Sequence, residues 1–231
     1  MDIITTSPGI ELLLRWLHFM AGITWIGLLY YINFVQTPFF GTELGGQARS
    51  AMVRGLVPNV LWWFRWGAMF TFLSGLAIVA LRWGHGEILG SPRMTAVLTG
   101  GAMGTLMWAN VWFVIWPAQQ IAIASANAVA AGGEADPQAA ALAPRAARAS
   151  RTNTLFSIPM LFFMGAASHF AIGGAVTAYW VTALVVILLV EANAMVSSSP
   201  LHKPLGTVSG TLYFGFALTL VLYVLQQVIL G

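Results

Sequence analysis

Six apolar stretches, each as long as a membrane-spanning helix, dominate this sequence of 231 residues. A run of about 20 apolar residues can cross the hydrocarbon core as a helix, and a helix satisfies its backbone polar groups internally. The stretches cover approximately Leu12–Val35, Val57–Leu81, Met94–Trp116, Leu155–Ile172, Ala175–Val190 and Gly206–Leu230. We therefore predict an all-α, polytopic transmembrane helical bundle of about six helices, forming a single domain over residues 1–231.

The composition supports a membrane protein and narrows its chemistry. Apolar residues make up 58% of the chain and charged residues only 7%, whereas ordinary globular domains carry about 25% charged residues. The small basic excess is spread over the connections, which argues against nucleic-acid binding and leaves membrane lipid as the expected surroundings. Because the chain contains no cysteine, an iron–sulfur cluster and a haem attached covalently through CxxCH are both excluded.

The connections between the stretches predict the topology. The segment 118–151 is Ala-rich and broken by glycine and proline, so we interpret it as a long inner loop with helical pieces. The fourth and fifth stretches are separated only by Gly173-Gly174, which predicts a tight hairpin. Basic residues concentrate in the first, third and fifth connections, at Arg49, Arg54, Arg145, Arg148, Arg151 and Lys203. The positive-inside rule places these connections inside and both termini outside.

Two histidines lie within the predicted spans at similar depth. By helix rise, His18 is about 10 Å and His169 about 5 Å below the outer ends of their helices. Gly22 and Gly165 lie four residues away on the inner side of each imidazole and on its face. Two imidazoles flanked by small residues fit a noncovalent b-type haem, with His18 and His169 as axial iron ligands. The alternative is that each histidine bonds a serine or a carbonyl of a neighbouring helix.

Other side chains could belong to the haem site or to a separate substrate site. Trp25 and Arg15 share the face of His18, where Trp25 could pack on a porphyrin and Arg15 could pair with a propionate. On the inner half, Arg65, Asn110 and Trp112 could stack on and pair with a planar anionic substrate. The alternative for this second group is an interfacial aromatic belt with an arginine reaching the headgroups. No intramembrane acidic base is evident, since Glu191 lies near a predicted helix end.

Three stretches of the sequence resemble the membrane domain of the bacterial cytochrome-c-linked urate oxidases, also called urate hydroxylases. They are LHFMAGITWIGLLYY from Leu17, NVWFVIWPAQ from Asn110 and RTNTLFSIPMLFFMGAASH from Arg151. The resemblance implies a multi-pass protein of the bacterial cytoplasmic (inner) membrane that oxidises urate to 5-hydroxyisourate. In that family the electrons pass to a c-type cytochrome, usually fused after the last helix. Since the chain stops at Gly231 and has no cysteine, we expect a separate cytochrome c or another redox subunit as acceptor.

The sequence is compatible with two functions from different classes. The first is a haem-b-binding membrane redox protein of the urate hydroxylase type that oxidises a small purine. The second is a noncatalytic accessory subunit of a larger respiratory or photosynthetic membrane complex, which the high glycine content would suit. A looser similarity of the His18 run to the membrane protoporphyrinogen oxidases supports proximity to a porphyrin in general.

Overall fold

A computed structural model describes residues 2–170, 173, 174, 176–196 and 198–230. The described part is helical and contains no strand. Its helices are α1 (Asp2–Thr5), α2 (Ser7–Phe39), α3 (Glu43–Gly55), α4 (Val57–Gly84), α5 (Pro92–Ala130), α6 (Pro137–His169), α7 (Thr177–Met195), α8 (His202–Leu205) and α9 (Val208–Leu230). Two of them contain π-helical turns, the first π segment Tyr31–Gln36 in α2 and the second π segment Val111–Ile115 in α5.

Five helices of the described chain are long and apolar enough to cross a membrane, namely α2, α4, α5, α7 and α9. They contain five of the six predicted stretches, although Ala175, the expected start of the fifth, lies outside the described residues. The remaining stretch, Leu155–Ile172, coincides with the second half of α6 as far as His169. Its last residues, 171 and 172, also lie outside the described part. The all-helical membrane architecture is thus confirmed.

The contacts between helix ends bring both termini to the same end of the bundle. Nε2 of His85, which follows α4, is 2.9 Å from Oγ of Ser7 at the start of α2. The glycine pair 173–174, which follows α6, packs against the backbone carbonyls of Gly90 and Leu230. We call this the terminal end. The long helices α2, α4, α5, α6, α7 and α9 therefore alternate in direction between it and the opposite end.

The segment 118–151, interpreted from the sequence as a long inner loop with helical pieces, is helical for most of its length. The helix α5 continues to Ala130 and α6 begins at Pro137, so only residues 131–136 are not helical. With 39 and 33 residues, these helices measure about 58 and 50 Å, which exceeds a hydrocarbon core of about 30 Å. The alanines favour helix, and Pro137 occupies the first turn, where its missing N–H costs nothing. The segment is therefore a helical hairpin that extends α5 and α6 at the opposite end.

The helix α6 is more polar than the five apolar helices because it lies at the centre of the bundle. It packs against α5 and α9 and also contacts α2 and α7. One part of α6 carries four polar side chains that are fully buried: Thr152, Asn153, Thr154 and Ser157. Polar groups inside a membrane protein must find partners within the protein, so a central helix is the place that can hold them.

Close packing of α6 on α9 depends on a glycine, which gives a first testable prediction. A Cβ atom at Gly215 would lie 2.9 Å from the backbone oxygen of Leu155 and 2.5 Å from Cδ1 of Ile158. The substitution Gly215→Ala should force the two helices apart and destabilise the fold by about 1–3 kcal/mol. Thermal unfolding in detergent micelles measures this effect as a lower midpoint.

The matched control is Gly101→Ala on α5, because nothing lies within 4 Å of a Cβ atom at that position. Alanine has the higher helix propensity, so this variant should unfold at the same temperature as the unmodified protein or higher. Equal midpoints for the two variants would contradict the close approach of α6 and α9.

Candidate functional site

A set of polar side chains joins α2, α5 and α7 to the centre of α6. We call it the central polar layer, and it consists of Tyr30, Asn33, Asn110, Ser150, Asn153, Ser157 and Glu191. On the α2 side, the hydroxyl groups of Tyr30 and Ser157 are 2.8 Å apart. Nδ2 of Asn33 donates to Oγ of Ser150 and to the backbone oxygen of Leu29, both at 2.9 Å. The first π segment is therefore tied to α6 by its own asparagine.

The other half of the layer links α5, α6 and α7. Nδ2 of Asn110 donates to Oδ1 of Asn153 at 3.0 Å and to Oε2 of Glu191 at 3.1 Å. Nδ2 of Asn153 donates in turn to the backbone oxygen of Met107 at 2.9 Å. Asn110 and Asn153, which belong to two of the motifs that carry the family resemblance, are thus direct partners.

Glu191 lies four residues before Met195, the last residue of α7, so it is near a helix end as the sequence indicates. Its carboxylate is nevertheless partly buried and accepts a hydrogen bond from the core residue Asn110. Its position could have been read from the pattern of α7. Tyr179, Ala183 and Ile187 form a buried stripe at intervals of four residues, and Glu191 continues it.

A second polar group lies between α4 and α5. The guanidinium carbon of Arg65 is 4.0 Å from the ring centre of Trp116, 5.2 Å from that of Trp112 and 5.6 Å from that of Trp66. We call these four residues the Arg65 cage. Arginine over indole faces is a favourable cation–π arrangement. The cage therefore holds a positive charge among aromatic rings, as the sequence suggested for Arg65 and Trp112.

The cage retains unused hydrogen-bond donors. Nε of Arg65 and Nε1 of Trp112 are buried, and neither has a hydrogen-bond partner in the part of the chain that the structure describes. The ion pairs found among the described residues do not include Arg65. Buried donors without acceptors are costly. The chemistry of the cage, a guanidinium and an indole N–H without acceptors among aromatic rings, suits an anion that accepts hydrogen bonds.

The structure separates the three residues predicted to bind substrate. Arg65 and Trp112 meet in the cage, between α4 and α5. The side chain of Asn110 instead bonds Asn153 of α6 and Glu191 of α7, on the other side of α5. The two groups therefore lie on opposite sides of α5 and do not form a single pocket.

His18 lies against α4. Its Nδ1 is 3.0 Å from Oγ of Ser74, whose hydroxyl donates to the backbone oxygen of Phe70 at 2.6 Å. The distance between Nδ1 and Oγ fits a hydrogen bond between the imidazole and the serine, whose direction is set by the tautomer of His18. A Cβ atom at Gly75 would be 3.2 Å from Cε1 of His18. A serine partner is the alternative expected from the sequence, and a metal-bound imidazole also commonly donates its second N–H in this way.

His169 ends α6 and is exposed, as is Gly165 one turn before it. Nothing lies within 4 Å of a Cβ atom at Gly165. Twelve residues separate His169 from Ser157, and twelve separate His18 from Tyr30, the partner of Ser157. By helix rise, both histidines are about 18 Å from that bond toward the terminal end.

The two histidines thus share a level of the bundle but have different surroundings. His18 contacts α4, whereas His169 is exposed and is followed by Phe170, which lines a groove between α6 and α9. The groove is lined by Phe162, Phe170, Phe216, Thr219, Leu220 and Tyr223. The described residues contain no group of three metal-ligating side chains, so any iron would need ligands from its own macrocycle.

Arg15 belongs to an ion-pair network at the terminal end. Its Nε is 2.7 Å from Oε1 of Glu11, and the same oxygen accepts from Nη2 of Arg82 at 2.6 Å. Nη1 of Arg82 also donates to Oε2 of Glu87 at 2.7 Å. The network fastens the start of α2 to the end of α4. A propionate would therefore have to share Arg15 with Glu11.

Trp25 and Gly22 lie in the interface between α2 and α4. Trp25 is 1% exposed, and its backbone approaches Gly67 so closely that a Cβ atom there would be 3.1 Å from N of Trp25. Gly22 faces Thr71 of α4. The helix face shared with His18 is thus covered by α4, so the space beside these two residues is filled by protein.

Comparison with known protein families gives one match. The sequence model described as "Urate oxidase N-terminal" matches residues 76–224, which is well over half of the chain. The matched region includes Asn110, Trp112, Asn153, His169 and Glu191. Comparison with curated proteins and with solved structures gives no match. The family resemblance seen in the sequence is confirmed, and the chain belongs to the urate oxidase N-terminal family.

Proposed function

We propose that this protein is a haem-b-binding membrane oxidoreductase domain that oxidises urate and passes the electrons to a separate c-type cytochrome. The Arg65 cage is the observation that carries the proposal. A guanidinium surrounded by three indoles, with no ion-pair partner among the described residues, is stabilised by an anion. Because the chain belongs to the urate oxidase N-terminal family, we propose urate as this anion.

Urate suits the cage because it is planar, carries a negative charge near neutral pH and has several carbonyl oxygens. Indole faces stack on such a ring system, and the guanidinium offers a planar set of donors. Nε of Arg65 and Nε1 of Trp112 are the two buried donors that urate oxygens would fill. Arg65 would fix the charge, and Trp112 would fix the plane of the ring.

The proposed reaction converts urate and water to 5-hydroxyisourate. One water oxygen is added to the ring, and two electrons and two protons are released. The chain's own contribution is to bind the anion, hold its ring between indoles and keep it away from bulk water. A bound haem b would accept the electrons one at a time.

His18 and His169 would hold that haem. Support comes from their common level and from the bond between Nδ1 of His18 and Ser74, which directs Nε2 away from the serine. Nine residues of α4 separate Arg65 from Ser74, about 14 Å along the helix axis. Electrons released at the cage would therefore travel toward the terminal end.

The orientation proposed for the membrane follows from the charges. Arg49, Arg54, Arg145, Arg148 and Lys203 lie toward the opposite end of the bundle, and Arg151 lies between them and the terminal end, at the centre of α6. By the positive-inside rule, that end faces the cytoplasm of a bacterial cell and the terminal end faces outward. A c-type cytochrome on the outer side would then meet the haem end of the protein.

The proposal is tested with purified protein, urate and an added c-type cytochrome. We expect absorbance changes that report reduction of the cytochrome only when urate and the protein are both present. Stable recovery with foreign membrane subunits, together with failure of the whole assembly to reduce the cytochrome with urate, would contradict it. That result would favour the accessory-subunit function instead.

A further inference from the structure

The second π segment, Val111–Ile115, lies where the substrate cage is built. It contains Trp112 and is followed at once by Trp116, so two of the three cage indoles depend on its geometry. A π turn is rare, and it changes the direction in which the following side chains point. The features that keep this turn in place therefore decide whether the indoles face Arg65.

Asn153 contacts the backbone at the start of this turn. Its Nδ2 donates to the carbonyl of Met107, four residues before Val111. The N–H of Val111 also reaches the carbonyls of Met107 and Trp108. A side chain that enters the backbone hydrogen-bond ladder is a known cause of local helix irregularity. Asn153 thus donates to the carbonyl of Met107, which also accepts from the N–H of Val111, the first residue of the π segment.

Asn110 and Glu191 complete this contact. Asn110 is the last residue before the π turn, and its Nδ2 bonds both Oδ1 of Asn153 and Oε2 of Glu191. Among the described residues, Asn110 is the one hydrogen-bond partner found for the Glu191 carboxylate. Three helices therefore converge on one amide at the boundary of the turn.

The first π segment has a comparable arrangement on the other side of α6. Asn33 lies within it, and its Nδ2 donates to the carbonyl of Leu29 and to Ser150. An asparagine, a backbone carbonyl and a polar residue of α6 thus occur together at both π segments. The first one carries no member of the Arg65 cage, which makes it an internal control.

We propose that Asn110, Asn153 and Glu191 are positioning residues that hold the second π segment so that Trp112 and Trp116 face Arg65 across α5. What the cage then binds rests on the proposed function. Glu191 acts here as a hydrogen-bond acceptor for Asn110, which a neutral amide oxygen can also provide. The role requires an acceptor at this position and does not require a negative charge.

The experiment compares Glu191→Leu, Glu191→Gln and Asn153→Leu with Asn33→Leu as the matched control. The first readout is the near-ultraviolet circular dichroism of tryptophan without urate, since the rings of Trp66 and Trp112 are 5.7 Å apart and edge to face. A Trp112→Phe variant identifies the part of the spectrum that Trp112 contributes. The second readout is urate affinity from tryptophan fluorescence.

We expect Glu191→Leu and Asn153→Leu to lose the Trp112 signal and to bind urate about tenfold more weakly, about 1.4 kcal/mol. Glu191→Gln should restore both readouts. Asn33→Leu should unfold at a lower temperature but keep the Trp112 signal. If Asn153→Leu does not fold, the comparison of Glu191→Leu with Glu191→Gln tests the positioning role. These variants should fold, because the Glu191 side chain is only partly buried.

Two results would overturn the positioning role. One is a Glu191→Gln variant as impaired as Glu191→Leu with an unchanged Trp112 signal, which would show that the charge itself is needed. The other is loss of the Trp112 signal in Asn33→Leu to the same extent. If the unmodified protein binds no urate while the Trp112 signal still follows the expected order, the proposed function fails and the positioning role stands.

Discussion

Replacing Arg65 with glutamine should weaken urate binding by about 100-fold or more. A hydrogen bond to a charged group contributes about 1.5–3 kcal/mol, and 1.4 kcal/mol corresponds to a factor of ten, so the loss of the bond from Nε of Arg65 alone accounts for about 10- to 100-fold. The positive charge in the cage is lost as well. Titration of tryptophan fluorescence with urate measures the affinity, because the ligand would lie against Trp112 and Trp116.

Two companion variants separate the contributions of charge and shape. Arg65→Lys keeps the charge without the planar fork of donors, so it should recover only part of the affinity. Arg49→Gln is the matched control, since this exposed arginine also lies over an aromatic ring, that of Phe40 at 5.6 Å, but outside the cage. If Arg65→Gln binds urate as tightly as the unmodified protein, the Arg65 cage is not the urate site.

Removing either His18 or His169 should abolish six-coordinate haem. A haem held by two imidazoles becomes five-coordinate when one is lost, and its absorption bands shift and weaken. The double variant should purify with almost no haem. Visible spectra and the pyridine haemochrome content per protein measure both effects.

His202→Ala is the control for this second prediction. Nε2 of His202 is 2.7 Å from the backbone oxygen of Asn193, and this histidine belongs to the opposite end of the bundle. Its removal should leave the haem spectrum unchanged. Full haem content in both His18→Ala and His169→Ala would show that neither histidine is a haem ligand. The hydrogen bond to Ser74 would then be the role of His18.

The membrane fold was predictable because a run of about 20 apolar residues leaves few alternatives to a helix. The extent of α5 and α6 was not predictable in the same way. Of the expected breaks, Gly132 lies between the two helices and Pro137 begins α6, but Pro144 lies inside α6. The alanines around them favour helix when two helices can pack together beyond the membrane. The polarity of α6 likewise follows from its central place, which only the tertiary contacts reveal.

Of the residues that the sequence groups as a substrate site, Arg65 and Trp112 are neighbours in the structure, with the guanidinium carbon 5.2 Å from the ring centre. Asn110 was assigned to the same group, but the structure directs it to the other side of α5. The sequence contains no signal for the π segment beside it, since a π turn depends on partners such as Asn153 on another helix. The bond between Asn110 and Glu191 is absent from the sequence pattern for the related reason that it joins two helices.

The most direct test is the reduced-minus-oxidised spectrum of the purified protein, recorded with dithionite and separately with urate. We expect b-type haem bands with both reductants for the unmodified protein. With Arg65→Gln we expect the bands with dithionite alone, because the haem would be intact and the urate site lost. A protein without haem bands after dithionite, or one whose haem urate fails to reduce, would contradict the proposed oxidation of urate by a haem-b-binding membrane domain.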